Sequence, residues 1–355
     1  MEFFNQDDRT ALEAKEYVQS LAFGPIAFQA SRALANLGIL DLVENGRPQG
    51  VTLEDVAAGA NLPVYGTRVL LAAGLGIGLL TVEQDRFHLT KAGYFLLHDA
   101  MTRVNVDFVN DICYAGMMGL EKSVLEGKPA GLTAFGAWPT IYEALSHLPE
   151  TARASWLKFD HFYSDAAFPD ALPIVFRSAP RRILDVGGNT GRWASQCVRY
   201  SKDVQVCIAD LPGQLKMAEA ELRKQEGNAR ITFFPINVLA PETEFPSGFD
   251  AIWMSQFLDC FSEDQIRSIL GKCRKGMDAK SRLFILEPFW NRQRFRAGAF
   301  SLQMTSLYFT AMANGNSQIY ESGLFLSLLK ESGFLIEEQF DHLGVSHSLI
   351  LCRPS

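Results

Sequence analysis

The residues best placed to do chemistry begin at a short apolar run, Ile183-Leu184-Asp185-Val186, that ends in the glycine-rich turn Gly187-Gly188-Asn189-Thr190-Gly191. Glycines there let the backbone turn sharply and let a ligand approach with no Cβ in the way. A second apolar run, Val206-Cys207-Ile208-Ala209, ends in Asp210. It lies about 20 residues beyond the glycine turn, where a carboxylate can accept hydrogen bonds from ribose hydroxyls. The pair points to a cofactor that carries a nucleoside. Adjacent glycines followed by Gly191 break the G-x-G-x-x-G order, which argues against a nicotinamide dinucleotide.

The elements that must position these residues follow a pattern. After Pro180, apolar or β-branched runs (Arg182 to Val186, Val204 to Ala209, Ile231 to Phe234, Ala251 to Met254, Arg282 to Leu286) alternate with helical stretches. Strands alternating with helices imply a mostly parallel sheet covered on both faces, an α/β doubly wound fold. The first hundred residues read differently. Helical periodicity runs from Tyr17 to Leu37, Thr52 is placed to cap a helix with Asp55 at its third position, and Pro63 to Leu80 is rich in Ala, Leu and Gly. An alternating stretch broken at Gln84-Asp85 closes the region as a hairpin. Helices followed by a hairpin is the order of a winged helix. Only Arg68 supplies a cation on its would-be recognition helix, and phosphate contacts need clustered cations, so an interface through Leu70, Leu71, Leu75 and Ile77 is expected there and not a nucleic acid.

With 355 residues, two domains are expected. Three segments are delineated: a winged-helix-like dimerisation domain over 1–100, a helical linker lining the substrate over 101–178, and a cofactor-binding catalytic domain over 179–355. The net charge of -7 weighs further against a polyanionic partner. The six cysteines lack C-x-x-C spacing and read as reduced thiols of a cytoplasmic protein, with no metal site. No uncharged apolar stretch is long enough to cross a bilayer.

On these motifs the chain resembles the dimeric S-adenosylmethionine-dependent small-molecule O-methyltransferases, of plant caffeate or hydroxyindole type and bacterial polyketide type. Asp185 to Gly191 is similar to that family's D-V-G-G-G-x-G turn, and Asp210-Leu211-Pro212 to its D-L-P ribose motif. The resemblance implies a class I methyltransferase fold, a homodimer formed through the N-terminal domain, and S-adenosylmethionine held by Asp185, Gly187, Gly188, Gly191, Asp210 and Leu211. Asn237 and Val238 take the place of its adenine-side G-D-x-F turn. Ser255, Tyr163 and Ser164 complete the expected cofactor set.

The family's catalytic histidine lies in a segment of the type L-H-D-W-S-D-E, and here Asp259 occupies that place within Phe257 to Asp264. Glu287 matches the glutamate that braces the histidine. An isolated aspartate, with a reference pKa near 3.9, is a poor base for a phenol, whereas two acids in one apolar pocket repel, and one of them is raised into a usable range. His161 is a second candidate base. The alternative reading of Asp259 is a carboxylate at a helix N-terminus or turn. A further family glutamate gives way to Gln318 or Tyr320. Phe159, Phe162, Met304, Tyr308 and Met312 suit a flat apolar acceptor.

The resemblance therefore implies methyl transfer to a small hydroxylated aromatic, by O-methylation. Two alternatives stay open: C-methylation of a phenolic ring, and a cofactor-binding relative that decarboxylates or hydroxylates without transferring methyl. A dimeric regulator using the winged helix is the non-enzymatic reading.

Overall fold

The computed structural model describes every residue except Met1 and Lys224. It divides into two compact units, Met1–Val109 and Asn110–Ser355. The segment expected as a separate linker over 101–178 is therefore not a unit of its own: from Asn110 onward it belongs with the sheet.

The first unit carries α1 (Ala11–Ala22), α2 (Gly24–Asn36), α3 (Ile39–Asn45), α4 (Leu53–Gly59) and α5 (Val64–Gly76), then the hairpin β1 (Leu80–Glu83) and β2 (Arg86–Leu89). Thr52 caps α4 as its sequence implies: its hydroxyl accepts from Asp55 N at 3.2 Å, and Asp55 Oδ2 accepts from Thr52 N at 3.0 Å. Gln84 and Asp85 both take positive φ (48° and 61°), as a two-residue hairpin turn requires. Leu34, Ile39, Leu40, Val43, Val56 and Leu71 form the core, with Leu70, Leu75 and Ile77 packed against it. Leu71 is thus interior, and Leu70 and Leu75 are half-buried against it. The opposite side of α5 leaves Tyr65 and Val69 exposed, and the uncovered apolar surface continues on the first two helices: α1 buries no residue, and Leu12, Leu21, Phe23 and Ile26 are between 58% and 68% exposed.

In the second unit, β3 (Arg182–Val186), β4 (Gln205–Asp210), β5 (Ile231–Pro235), β6 (Ala251–Ser255), β7 (Arg282–Pro288), β8 (Phe334–Leu343) and β9 (His347–Pro354) form one sheet in the order β5-β4-β3-β6-β7-β9-β8. The strands β3 to β7 are parallel, and β9 runs antiparallel between β7 and β8. Parallel strands buried on both faces need apolar side chains pointing both ways. One face packs Leu184, Val186, Ile252 and Met254 against the helices Glu263–Lys275 and Ser322–Glu331. The other packs Ile183, Trp253 and Phe284 against the helices Arg192–Tyr200 and Glu150–Val175. Trp193 stacks on Trp253 at 3.8 Å there, with Phe168 edge-on at 5.1 Å from Trp193. Strand order reverses between β3 and β6, so their carboxyl ends open the crevice where doubly wound sheets hold ligands.

Candidate active site

The glycine turn leaves β3 at that crevice. Gly187 (φ 73°) and Gly191 (φ 78°) are left-handed, and so is Asn189 (φ 48°), an amide residue that tolerates the conformation better than most. Gly188 is required for a different reason: a Cβ there would lie 2.7 Å from Asp185 Oδ2 and 2.8 Å from Ile208 Cγ2. Asp210 at the end of β4 accepts from Asn189 N at 2.9 Å and from Leu211 N at 2.7 Å, which ties the glycine turn to the second strand. Burial pushes Asp210 up to about 6. Burial, and then the charge of Asp210, push Asp185 up to about 8, with the Ala194 amide opposing.

Three buried polar atoms around this crevice have no hydrogen-bond partner: Asp185 Oδ2, Asn189 Oδ1 and Ser255 Oγ. Buried polar groups are normally satisfied, so unmet demand at the switch point of the sheet fits a polar ligand received by these residues. The remaining cofactor candidates differ in character. Val238 is a buried core residue, whereas Asn237 is exposed and its Oδ1 accepts from Leu239 N at 3.1 Å, closing a turn. Ser164 is buried and its hydroxyl donates to Asp160 O at 3.1 Å within its own helix. Tyr163 is partly buried, with its ring 5.0 Å from Phe159 and 5.4 Å from Phe162.

Asp259 and Glu287 come together, buried to 4% and 1% exposure. Asp259 stands in the short turn Leu258–Cys260 that follows β6, and Glu287 is near the end of β7. The helix that follows, Glu263–Lys275, is capped by Ser262 in a capping box with Gln265. Asp259 is therefore not the cap of that helix; it is a buried carboxylate in a turn. Glu287 Oε1 accepts from Phe257 N at 3.0 Å and from Leu258 N at 2.8 Å. Its other oxygen, Oε2, is buried without a close hydrogen-bond partner, and the Asp259 amide also faces the carboxyl. Burial, then the charge of Asp259, raise Glu287 well above the carboxylate range. Burial also raises Asp259, to about 7, held down by hydrogen bonds from Cys260 and Glu287 and pushed up by the charge of Asp160. The result is a pair of buried acids both raised above the carboxylate range, in which repulsion favours one shared proton over two charges.

His161 does not join that pair. Its Nε2 lies 3.2 Å from Thr190 Oγ1, and burial lowers it to about 4, so it is a neutral imidazole beside the glycine turn. Its neighbour Asp160, which the sequence did not single out, accepts from Asn189 Nδ2 at 3.2 Å and is raised by burial to about 7. Tyr308 is buried and accepts from Trp156 Nε1 at 2.7 Å, while Met312 is buried against Gly116. Met304 is 44% exposed, which removes it from the enclosed set. Of the two substitutes for the absent glutamate, Gln318 is exposed, and Tyr320 is buried with its hydroxyl donating to Phe261 O at 2.7 Å.

So many raised acids make stability depend on pH. At pH 6.5 about half of an unfolded chain's histidines are still charged, a smaller opposing effect that is nearly gone by about pH 7.5. Asp160 and Asp259, each at about 7, and Asp185, at about 8, still hold protons in the fold that the unfolded chain has released. The native state then binds more protons, and stability must fall as pH rises. The cofactor-free protein is expected to lose thermal midpoint steadily between about pH 6.5 and 8.5 at constant ionic strength. A flat or rising midpoint over that interval contradicts the assignment of buried neutral acids.

The chain matches a Dimerisation2-like domain over residues 15–87 and an O-methyltransferase domain over residues 120–335. It is 24% identical over 318 residues to an L-tyrosine C(3)-methyltransferase of Streptomyces lavendulae, covering 88% of this chain and 85% of the relative. It is 25% identical over 349 residues to demethylspheroidene O-methyltransferase of Cereibacter sphaeroides, covering 96% and 87%. In fold it is similar to the S-adenosylmethionine-dependent methyltransferase SibL in its apo form, with a TM-score of 0.73, 23% identity and coverage of 96% and 99%. The O-methyltransferase match takes in more than half of the residues, and the chain belongs to the O-methyltransferase family.

Proposed function

We propose that this methyltransferase transfers the methyl group of S-adenosylmethionine to the hydroxyl of a small aromatic acceptor, with Asp259 taking the hydroxyl proton. When bound, the cofactor supplies a methyl carbon activated by a sulfonium. The protein's part is to hold the acceptor in line and to remove its proton. The observation that carries this reading is the buried Asp259 and Glu287 pair, in which Asp259 is raised to about 7 and so suits proton transfer near neutrality. Asp185, Gly187, Gly188, Gly191 and Asp210 would hold the cofactor, their unmet and near-neutral polar groups facing its sugar and amino-acid ends. Phe159, Phe162, Tyr308 and Met312 would wall the acceptor. A hydroxylated aromatic is also the substrate named for the tyrosine-methylating relative.

The active species is a homodimer. The support is the apolar surface of α1 and α2, where Leu12, Val18, Leu21, Phe23 and Ile26 are each more than half exposed. Such a patch is rare on a monomer, and a second copy offers the same patch in return.

Purified protein incubated with S-adenosylmethionine and a panel of phenols is expected to yield a product heavier by one methyl group, with the cofactor demethylated in equal amount. Light scattering is expected to give twice the chain mass. NMR of the product decides between oxygen and ring carbon as the acceptor. Conversion of substrate with the cofactor unconsumed would overturn the reading.

A further inference from the structure

We propose that Gln256 and His347 form a positioning pair that holds the Asp259 turn against Glu287; this rests on the reading of Asp259 as the proton acceptor. Gln256 is the residue that joins β6 to that turn. It adopts φ 45°, a left-handed conformation that costs energy for a residue with a long side chain. Its backbone N donates to Leu286 O at 2.9 Å. The next two amides, of Phe257 and Leu258, donate to Glu287 Oε1. Three successive N–H groups are thus turned onto the end of β7, and only the reversed backbone at Gln256 lets them converge there.

The side chain of Gln256 is anchored on another strand. Its Oε1 lies 3.1 Å from Nε2 of His347, which is 1% exposed on β9 and sits opposite Pro288 in the β7–β9 ladder, one step beyond Glu287. An amide oxygen only accepts, so His347 carries its proton on Nε2. Its Nδ1 is then a buried acceptor with no partner. Burial lowers His347 to about 3, which keeps the ring neutral. A strained backbone and an unsatisfied imidazole nitrogen are each unfavourable, and they meet in one hydrogen bond beside the acid pair. Strain of that kind is retained where it fixes a reacting group, and stability and activity can then be separated by substitution.

Gln256→Gly removes both the strain and the anchor. The expected result is a thermal midpoint no lower than that of the parent, with kcat reduced about 10- to 100-fold, as for a modest displacement of a catalytic group. The cofactor dissociation constant should stay within about threefold, and the pH limb of kcat should move, since a loosened Asp259 no longer shares the environment of Glu287. His347→Leu should give the same loss of kcat, His347→Gln should recover part of it by supplying an N–H donor, and the double variant Gln256→Gly with His347→Leu should be no worse than either alone. If Gln256→Gly and His347→Leu both keep the parental kcat and pH limb while Asp259→Asn is inactive, the positioning pair is wrong and the base assignment stands. If Asp259→Asn is itself fully active, both fall together.

Discussion

If Asp259 is the proposed proton acceptor, Asp259→Asn is expected to lower kcat for methyl transfer by about 10²- to 10⁴-fold, the usual contribution of a general base, while cofactor affinity changes little. The substitution keeps the shape of the side chain and removes its ability to take a proton, so it tests the chemistry and not the packing. Asp259 is buried in the turn after β6, with Glu287 beside it. Since burial raises Asp259 to about 7, its working form, the carboxylate, prevails above that value and is lost as pH falls through it. The parent is expected to show a rising acid limb in kcat/KM near pH 7, which disappears in the variant. In kcat the limb lies lower, because a cation held nearby favours the ionised carboxylate. Glu287→Gln should lose less and leave the limb visible, since a neutral Gln can still donate to Asp259. An Asp259→Asn protein with kcat within tenfold of the parent and an unchanged limb would falsify the assignment.

Much of this site was legible before any coordinates, and the reason differs by element. Strands β3, β4, β6 and β7 lie close to the apolar runs that announce them, because a parallel strand covered on both faces has no polar face to blur its signal. The exposed edge strand β5 is still announced by Ile231, Phe233 and Phe234. The C-terminal hairpin escaped notice. In β8, Glu337, Glu338, Asp341 and His342 interrupt the pattern, and two register irregularities, at Ile336/Glu338 and Asp341/Leu343, break the alternation on which a strand is recognised. That omission hid His347, whose contact with Gln256 spans 91 residues of sequence. Asp160 was missed although it adjoins His161, because its significance comes from Asn189 across a turn and from burial, neither of which is a property of local sequence. The α5 leucines misled in the opposite sense: apolar composition does not say which face a helix buries, and here Leu71 is core while α1 is left uncovered. Glycine spacing and acid placement, by contrast, are local demands of the backbone, and the structure brings Gly187, Gly191 and Asp210 to one crevice.

Gly187→Ala is the second large effect, and it tests whether cofactor turn and acid pair act as one assembly. Gly187 has φ 73°, and a Cβ there would lie 2.2 Å from Cδ2 of Phe257. Phe257 precedes Asp259 by two residues and donates its amide to Glu287. A methyl group at Gly187 must therefore displace either the glycine turn, which carries Asn189 toward Asp210, or the ring whose backbone holds the acids together. Either displacement is expected to lower kcat/KM by about 100-fold or more, since misplacement alone can cost that much. Adding Phe257→Ala relieves the contact and leaves only the left-handed strain of alanine, roughly 1–2 kcal/mol, which is lost from stability, so the double variant should recover kcat/KM to near that of Phe257→Ala alone while unfolding at a lower temperature. Gly213→Ala serves as the control: it lies just past the Asp210-Leu211 step, nothing stands within 4 Å of its added Cβ, and it is expected to be neutral or slightly stabilising as a helix residue. Cofactor affinity measured by calorimetry separates the routes. A loss of affinity in Gly187→Ala locates the damage in the turn, whereas intact affinity with collapsed kcat locates it at Phe257 and the acids beyond it.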